Sequence, residues 1–232
     1  MTTTNKTMLT FLKNLAENNS LEWMHQHEKE KKDALNHFYG LVQTLQNEIP
    51  AFDPDIPMIE PNKLSFRLNR DTRFSHDKSP YNPTFRAHIG PNGKPYIPAG
   101  YFIQLAPEGH DSFLGGGVFG TQFPQATAFV REYLLAHPQE FLALLEAPRF
   151  KKYFQLQGEQ LKRFPKGYEE TGTAIDPFIK YKSWYLQYDL AYDQLLDEKQ
   201  LIQTCLDVFE AMKPFNDYLN RALIDFQFPE RR

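Results

Sequence analysis

Two turn signatures, Pro91-Asn92-Gly93-Lys94 and Pro107-Glu108-Gly109-His110, constrain this chain more than any other feature. Proline presets the first corner of such a turn, and glycine supplies the positive φ that tight reversals need. Around them lie short runs in which apolar residues recur at every second position. From Leu64 to Asn69, Leu64, Phe66 and Leu68 alternate with Ser65, Arg67 and Asn69. From Phe85 to Gly90, Phe85, Ala87 and Ile89 alternate with Arg86 and His88. Gly100 to Ala106 and the glycine-rich Ser112 to Phe119 follow. Period-two patterning broken by turns predicts an antiparallel meander of at least four strands. A later strand is expected over Trp184 to Leu190.

Both ends of the chain read as helix. Met8, Leu9, Phe11, Leu12 and Leu15 share a helical face, and Ser20 is placed to cap a second helix running to about Glu48. Helices are expected after Pro124, over Pro138 to Glu146, and from Asp197 to Phe226, where Pro214 should kink or split the run. No repeat, low-complexity tract or linker interrupts the chain. The reading is therefore α+β, with one domain over residues 1–232 and helices covering an antiparallel sheet.

Composition narrows the class. Hydrophobic residues at 41% and charged residues at 24% are those of a globular chain with a core. No apolar run is long enough to span a bilayer, and no signal-peptide pattern opens the sequence. A lone cysteine, Cys205, lies in an apolar helical pattern and is expected in the core of a cytoplasmic protein. The net charge is −3, yet residues 63–86 hold six Lys/Arg against two Asp, and residues 149–166 hold six against one Glu. Two basic stretches in an otherwise acidic chain suit a focused anion site better than a broad nucleic-acid face.

The first basic stretch, KLSFRLNRDTRFSHDKSPYNPTFR, contains the candidate site. Arg67 and Arg86 fall on the non-apolar faces of two segments able to pair, with His88 further along the same face. Arginine offers a planar fork of donors that matches a phosphate or carboxylate. Arg67, Arg70, Arg73 and Arg86 would supply charge, and Lys78, Ser79 and Tyr81 further donors. Asp71, Asp77 and His88 are the candidate general bases, should the protein be an enzyme. In the competing reading the aspartates pair with Arg70 and Arg73 and merely hold the loop down. The second basic stretch interleaves Arg149, Lys151, Lys152, Lys162, Arg163 and Lys166 with rings, which permits base stacking but more often means buried rings and solvated amines. Gly115-Gly116-Gly117 lacks the strand-to-helix context of a dinucleotide loop and reads as close backbone packing. The histidines make no metal-ligand spacing, so neither metal nor cofactor is expected.

FLKNLAENN at 11–19 with Glu22-Trp23, FRLNRDTRFSHDKSPY at 66–81, Gly115-Gly116-Gly117, Lys166-Gly167-Tyr168 and Pro214-Phe215 together resemble domain-of-unknown-function family 2461, a set of mainly bacterial proteins. The resemblance implies a compact intracellular domain and no established reaction. The expectation is a protein that binds a small anionic, phosphate-bearing ligand at the arginine motif. A nucleic-acid-binding module using residues 63–86 and 149–166 and a non-catalytic interaction or scaffold role are the alternatives.

Overall fold

The computed structural model describes residues 4–73, 76–120 and 124–227. The helices are α1 (Asn5–Glu17), α2 (Leu21–Gln26), α3 (Glu28–Glu48), α4 (Pro61–Leu64), α5 (Ala126–Ala136), α6 (Pro138–Glu146), α7 (Pro148–Tyr153), α8 (Asp176–Ile179), α9 (Tyr192–Leu196) and α10 (Glu198–Ala222). The strands β1 (Phe85–Ile89), β2 (Tyr101–Leu105), β3 (Phe113–Val118) and β4 (Trp184–Asp189) form one antiparallel sheet in that order. The protein is therefore α+β. Among the described residues, no helix is long and apolar enough to cross a membrane.

Three expectations shift. α1 starts earlier than its apolar stripe because Thr4 caps it, its hydroxyl accepting from Thr7 N while Thr7 Oγ1 accepts from Thr4 N at 2.8 Å. The single helix expected from Ser20 is two. His27 ends α2 with its ring stacked on Trp23 at 4.0 Å and its Nδ1 2.7 Å from the Trp23 carbonyl oxygen, and α3 begins afresh beyond it. The strand expected over Leu64 to Asn69 is an extended segment with isolated bridges, Ser65 to Ala87 and Asn69 to Tyr81. Pro61 commits the residues before it to a helical turn, and Pro80 and Pro83 opposite it have no N–H to complete a ladder. α10, by contrast, continues through Pro214.

The chain divides into two compact units. The first comprises Met1–Lys94, Tyr101–Leu114 and Asp189–Glu210. Its β1 and β2 pair in the register Phe85 to Leu105, Ala87 to Ile103 and Ile89 to Tyr101, so these six side chains share one buried face. Phe38 of α3 and Phe11 of α1 stack on Phe85 at 5.3 and 6.3 Å. Each such ring contributes about 1.5–3 kcal/mol through burial. Tyr101 keeps its hydroxyl satisfied in this core by donating to Asp53 at 2.6 Å. The opposite face of the same strands carries Arg86, His88, Phe102 and Gln104. Phe66 lies 6.1 Å from Phe102 there.

The second unit comprises Pro95–Gly100, Gly115–Tyr188 and Ala211–Arg232. Phe141 is its aromatic hub, meeting Phe178 at 5.2 Å, Tyr218 at 5.3 Å and Phe215 at 6.3 Å. The glycine run is a packing device. Gly117 has φ +99, and a Cβ there would sit 2.3 Å from the Trp184 carbonyl oxygen, so only glycine lets the two backbones come this close.

Candidate functional site

The site is built in the first unit, where residues 64–70 run back against residues 80–87. Phe66 N donates to Arg86 O at 2.8 Å, Arg70 N to Pro80 O at 2.9 Å and Asn82 N to Leu68 O at 2.6 Å. Leu64 and Leu68 are buried and Arg67 is exposed, as the alternation predicts. Ser65, bridged to Ala87, is however buried on the core face, while the half-buried Phe66 lies with Phe102 on the opposite face, so the pattern is reversed at these two residues. The far end is clamped by Asn19. Its side-chain amide donates to Tyr81 O at 2.9 Å, and its oxygen accepts from Tyr81 N at 3.0 Å. One side chain thus supplies both bonds of a β-bridge. Asn19 was legible only as part of the Asn18-Asn19-Ser20 helix break.

The predicted residues fall into two groups. Arg70 is ion-paired with Asp77, and Arg73 lies bidentate on Asp71, with Nη2 to Oδ2 at 2.6 Å and Nε to Oδ1 at 2.9 Å. Asp77 also accepts from the Ser79 hydroxyl at 2.6 Å and from Ser79 N at 2.9 Å. Lys78 Nζ donates to the Thr72 carbonyl at 2.9 Å. Loop charges therefore engage loop partners. The Arg73 hydrogen bonds pull the Asp71 carboxyl down to about 2. Asp77 is lowered too, first by Ser79 and then by Arg70. Carboxylates held this acidic are poorly matched to accepting a proton at neutral pH. Tyr81 is buried.

The second group surrounds Phe66. The Arg86 guanidinium carbon is 5.6 Å from the centre of that ring, and Lys94 Nζ is 4.5 Å from it. Arg86 Nη2 donates to the Arg67 carbonyl at 3.5 Å, and Lys94 Nζ to the Ser65 carbonyl at 3.0 Å. The pKa of Lys94 is lowered, first by burial and then by the nearby charges of Arg67 and Arg86. Three cations therefore act on one another here. Among the described residues, no carboxylate pairs with Arg67 or Lys94.

Lys94 was missed by sequence reasoning, which saw the Pro91–Lys94 stretch only as a turn. The turn is what aims it. Gly93 has φ +78, and its carbonyl accepts from His88 Nδ1 at 3.1 Å. A Cβ on Gly93 would lie 2.9 Å from Ile59 Cδ1, so the turn is pinned between His88 and the core. His88 itself is buried, and burial lowers its pKa to about 4. It stays neutral near pH 7 and serves as the floor under the turn.

The second basic stretch is arranged differently. Phe150 and Phe154 are buried, Lys151 pairs with Glu146, and Lys152 Nζ donates to the Tyr153 hydroxyl at 2.9 Å. Its two buried phenylalanines are core residues.

Fold and site together define an α+β protein with two cations, Arg86 and Lys94, on one aromatic side chain and the charge of Arg67 near them. The chain belongs to the family described as "Conserved hypothetical protein (DUF2461)", whose pattern matches residues 7–218. No curated protein and no solved structure matches it.

Proposed function

We propose that Arg67, Arg86 and Lys94 bind a small anionic, phosphate-bearing ligand at the Phe66 cluster. The observation that carries this reading is that Lys94 Nζ and the Arg86 guanidinium carbon lie 4.5 and 5.6 Å from the centre of one ring, Phe66, with Arg67 near enough to add its charge to the burial that lowers the Lys94 pKa. Gathering like charges in a half-desolvated place costs free energy. An oxyanion bridging them turns that repulsion into charge-assisted hydrogen bonds, two guanidinium forks and an ammonium being a donor set that phosphate oxygens fit. Arg70, Arg73, Lys78 and Ser79 form the adjoining loop, and Asp71 and Asp77 hold that loop in shape.

Titration calorimetry with inorganic phosphate tests the proposal. Arg86→Gln with Lys94→Gln lowers the bound stoichiometry by one equivalent, whereas Arg70→Gln with Arg73→Gln leaves it unchanged. The reverse pattern, or wild-type stoichiometry in both double variants, counts against it.

A further inference from the structure

The second unit holds a buried cation that the proposed site does not use. Arg131 of α5 is 8% exposed. Its Nε donates to Ile179 O at 2.9 Å, its Nη2 to Tyr181 O at 2.8 Å and its Nη1 to Thr127 Oγ1 at 3.1 Å. The rings of Tyr168 and Trp184 lie 5.8 and 5.7 Å from its guanidinium carbon. Every one of these neighbours is neutral. The adjacent Glu132 gives its carboxylate to the Tyr168 hydroxyl at 2.8 Å. Glu159 is taken by Lys182 at 2.6 Å. Burial lowers the Arg131 pKa, and no carboxylate acts to raise it.

A buried guanidinium met only by dipoles and ring faces carries a desolvation cost that a counter-charge relieves. It has five N–H donors, and the three bonds above leave one on each Nη. Beside it lies a cavity of about 190 Å³ lined by Gly120, Pro124, Thr127, Arg131 and Lys182. That volume is roughly the share of six water molecules in the liquid, enough for one tetrahedral oxyanion. Arg131 contributes charge to its wall, and Lys182, whose ammonium also meets Glu159, contributes further donors, while the Thr127 hydroxyl is committed to Pro124 O at 2.6 Å and serves to position Arg131.

We infer that Arg131 and Lys182 form a second anion site, one that takes a free inorganic oxyanion of phosphate size. Such an ion supplies the charge that the second unit's own carboxylates withhold from Arg131. It accepts from the two remaining guanidinium N–H groups and from the Lys182 ammonium.

The test is made in the full chain carrying Arg86→Gln and Lys94→Gln, the pair whose loss removes the equivalent bound at the Phe66 cluster. Inorganic phosphate, followed by calorimetry, binds this chain as a single equivalent, and sulfate competes with it. Adding Lys182→Ala weakens binding about tenfold, as expected for loss of one charge-assisted contact. Arg131→Lys keeps the charge but loses the planar fork, and weakens binding at least as much. If circular dichroism shows that Arg131→Lys does not fold, the half-buried Lys182 carries the comparison. Absence of phosphate binding in the background chain, or an affinity that Lys182→Ala leaves unchanged, overturns the inference. Arg131 is then a bracket joining α5 to residues 179–181 and nothing more.

Discussion

The loop around Arg70 and Arg73 and the cluster around Phe66 lie in one continuous basic stretch, yet their charges are handled in opposite ways. Arg70 and Arg73 each have a loop carboxylate, Asp77 and Asp71. Among the described residues, Arg67 and Lys94 have no carboxylate of their own; the charges of Arg67 and Arg86 act on Lys94, and Arg86 and Lys94 lie on the same ring. A loop that neutralises itself needs no ligand to be stable. A cluster of like charges held in place by backbone geometry stores an electrostatic cost that a bound anion removes. The number of arginines in the motif is thus a poor guide to its function, and the pairing of each one is a better guide.

The largest expected effect comes from inverting the cluster. Arg86→Glu with Lys94→Glu lowers phosphate affinity there by about a thousandfold or more, because two attractive contacts become repulsive. Acid attacks the floor of the cluster next. His88 has a folded pKa of about 4 against an ordinary 6.5, so the unfolded chain takes up its proton first as pH falls. Stability is present above about pH 6.5, declines between there and about pH 4, and levels off below, a loss of roughly 3 kcal/mol. Urea denaturation across that range detects it, and His88→Gln flattens the slope. Asn19→Ala removes both bonds to the Tyr81 backbone and lowers unfolding free energy by about 2 kcal/mol. Because that clamp holds Tyr81, at the start of the segment that leads to Arg86, phosphate affinity falls with it. Asp71→Asn, on the self-neutralised side, changes phosphate affinity by less than about twofold, since exposed charges in a loop are screened. The smallest effect is that of Arg67→Gln, which moves the Lys94 pKa back toward its ordinary value without loss of fold, as read by amine NMR titration.

Much of this architecture is visible in the residues. β1 and β2 follow from period-two alternation, β4 follows from the same pattern at Trp184, and β3, buried on both faces, follows instead from a glycine-rich run after a turn. The break at His27 is not visible, since its flanking residues all favour helix. A ring stack and a bond to the Trp23 carbonyl separate α2 from α3. At the site, the placement of Arg86 on the non-apolar side is a local consequence of alternation, whereas Phe66 lies on that side against its own pattern because Ser65, bridged to Ala87, takes the core face. The self-pairing of Asp71 with Arg73 was legible too, because the two are near neighbours in sequence. The part played by Lys94 was not. Its direction depends on the register of the 64–68 segment against β1 and on Gly93 being pinned by His88 and Ile59, and those contacts are remote from Lys94 itself.

Site-resolved acetylation of lysines, read by mass spectrometry with and without inorganic phosphate, tests the central claim most directly. Lys94 reports on the cluster alone, and the solvent-exposed Lys63, paired with Glu60, is an internal control. The account predicts that phosphate slows Lys94 acetylation about fivefold or more, through occupancy and through restoration of the ammonium's ordinary pKa, while Lys63 reacts as before. Equal rates at Lys94 with and without phosphate would contradict it.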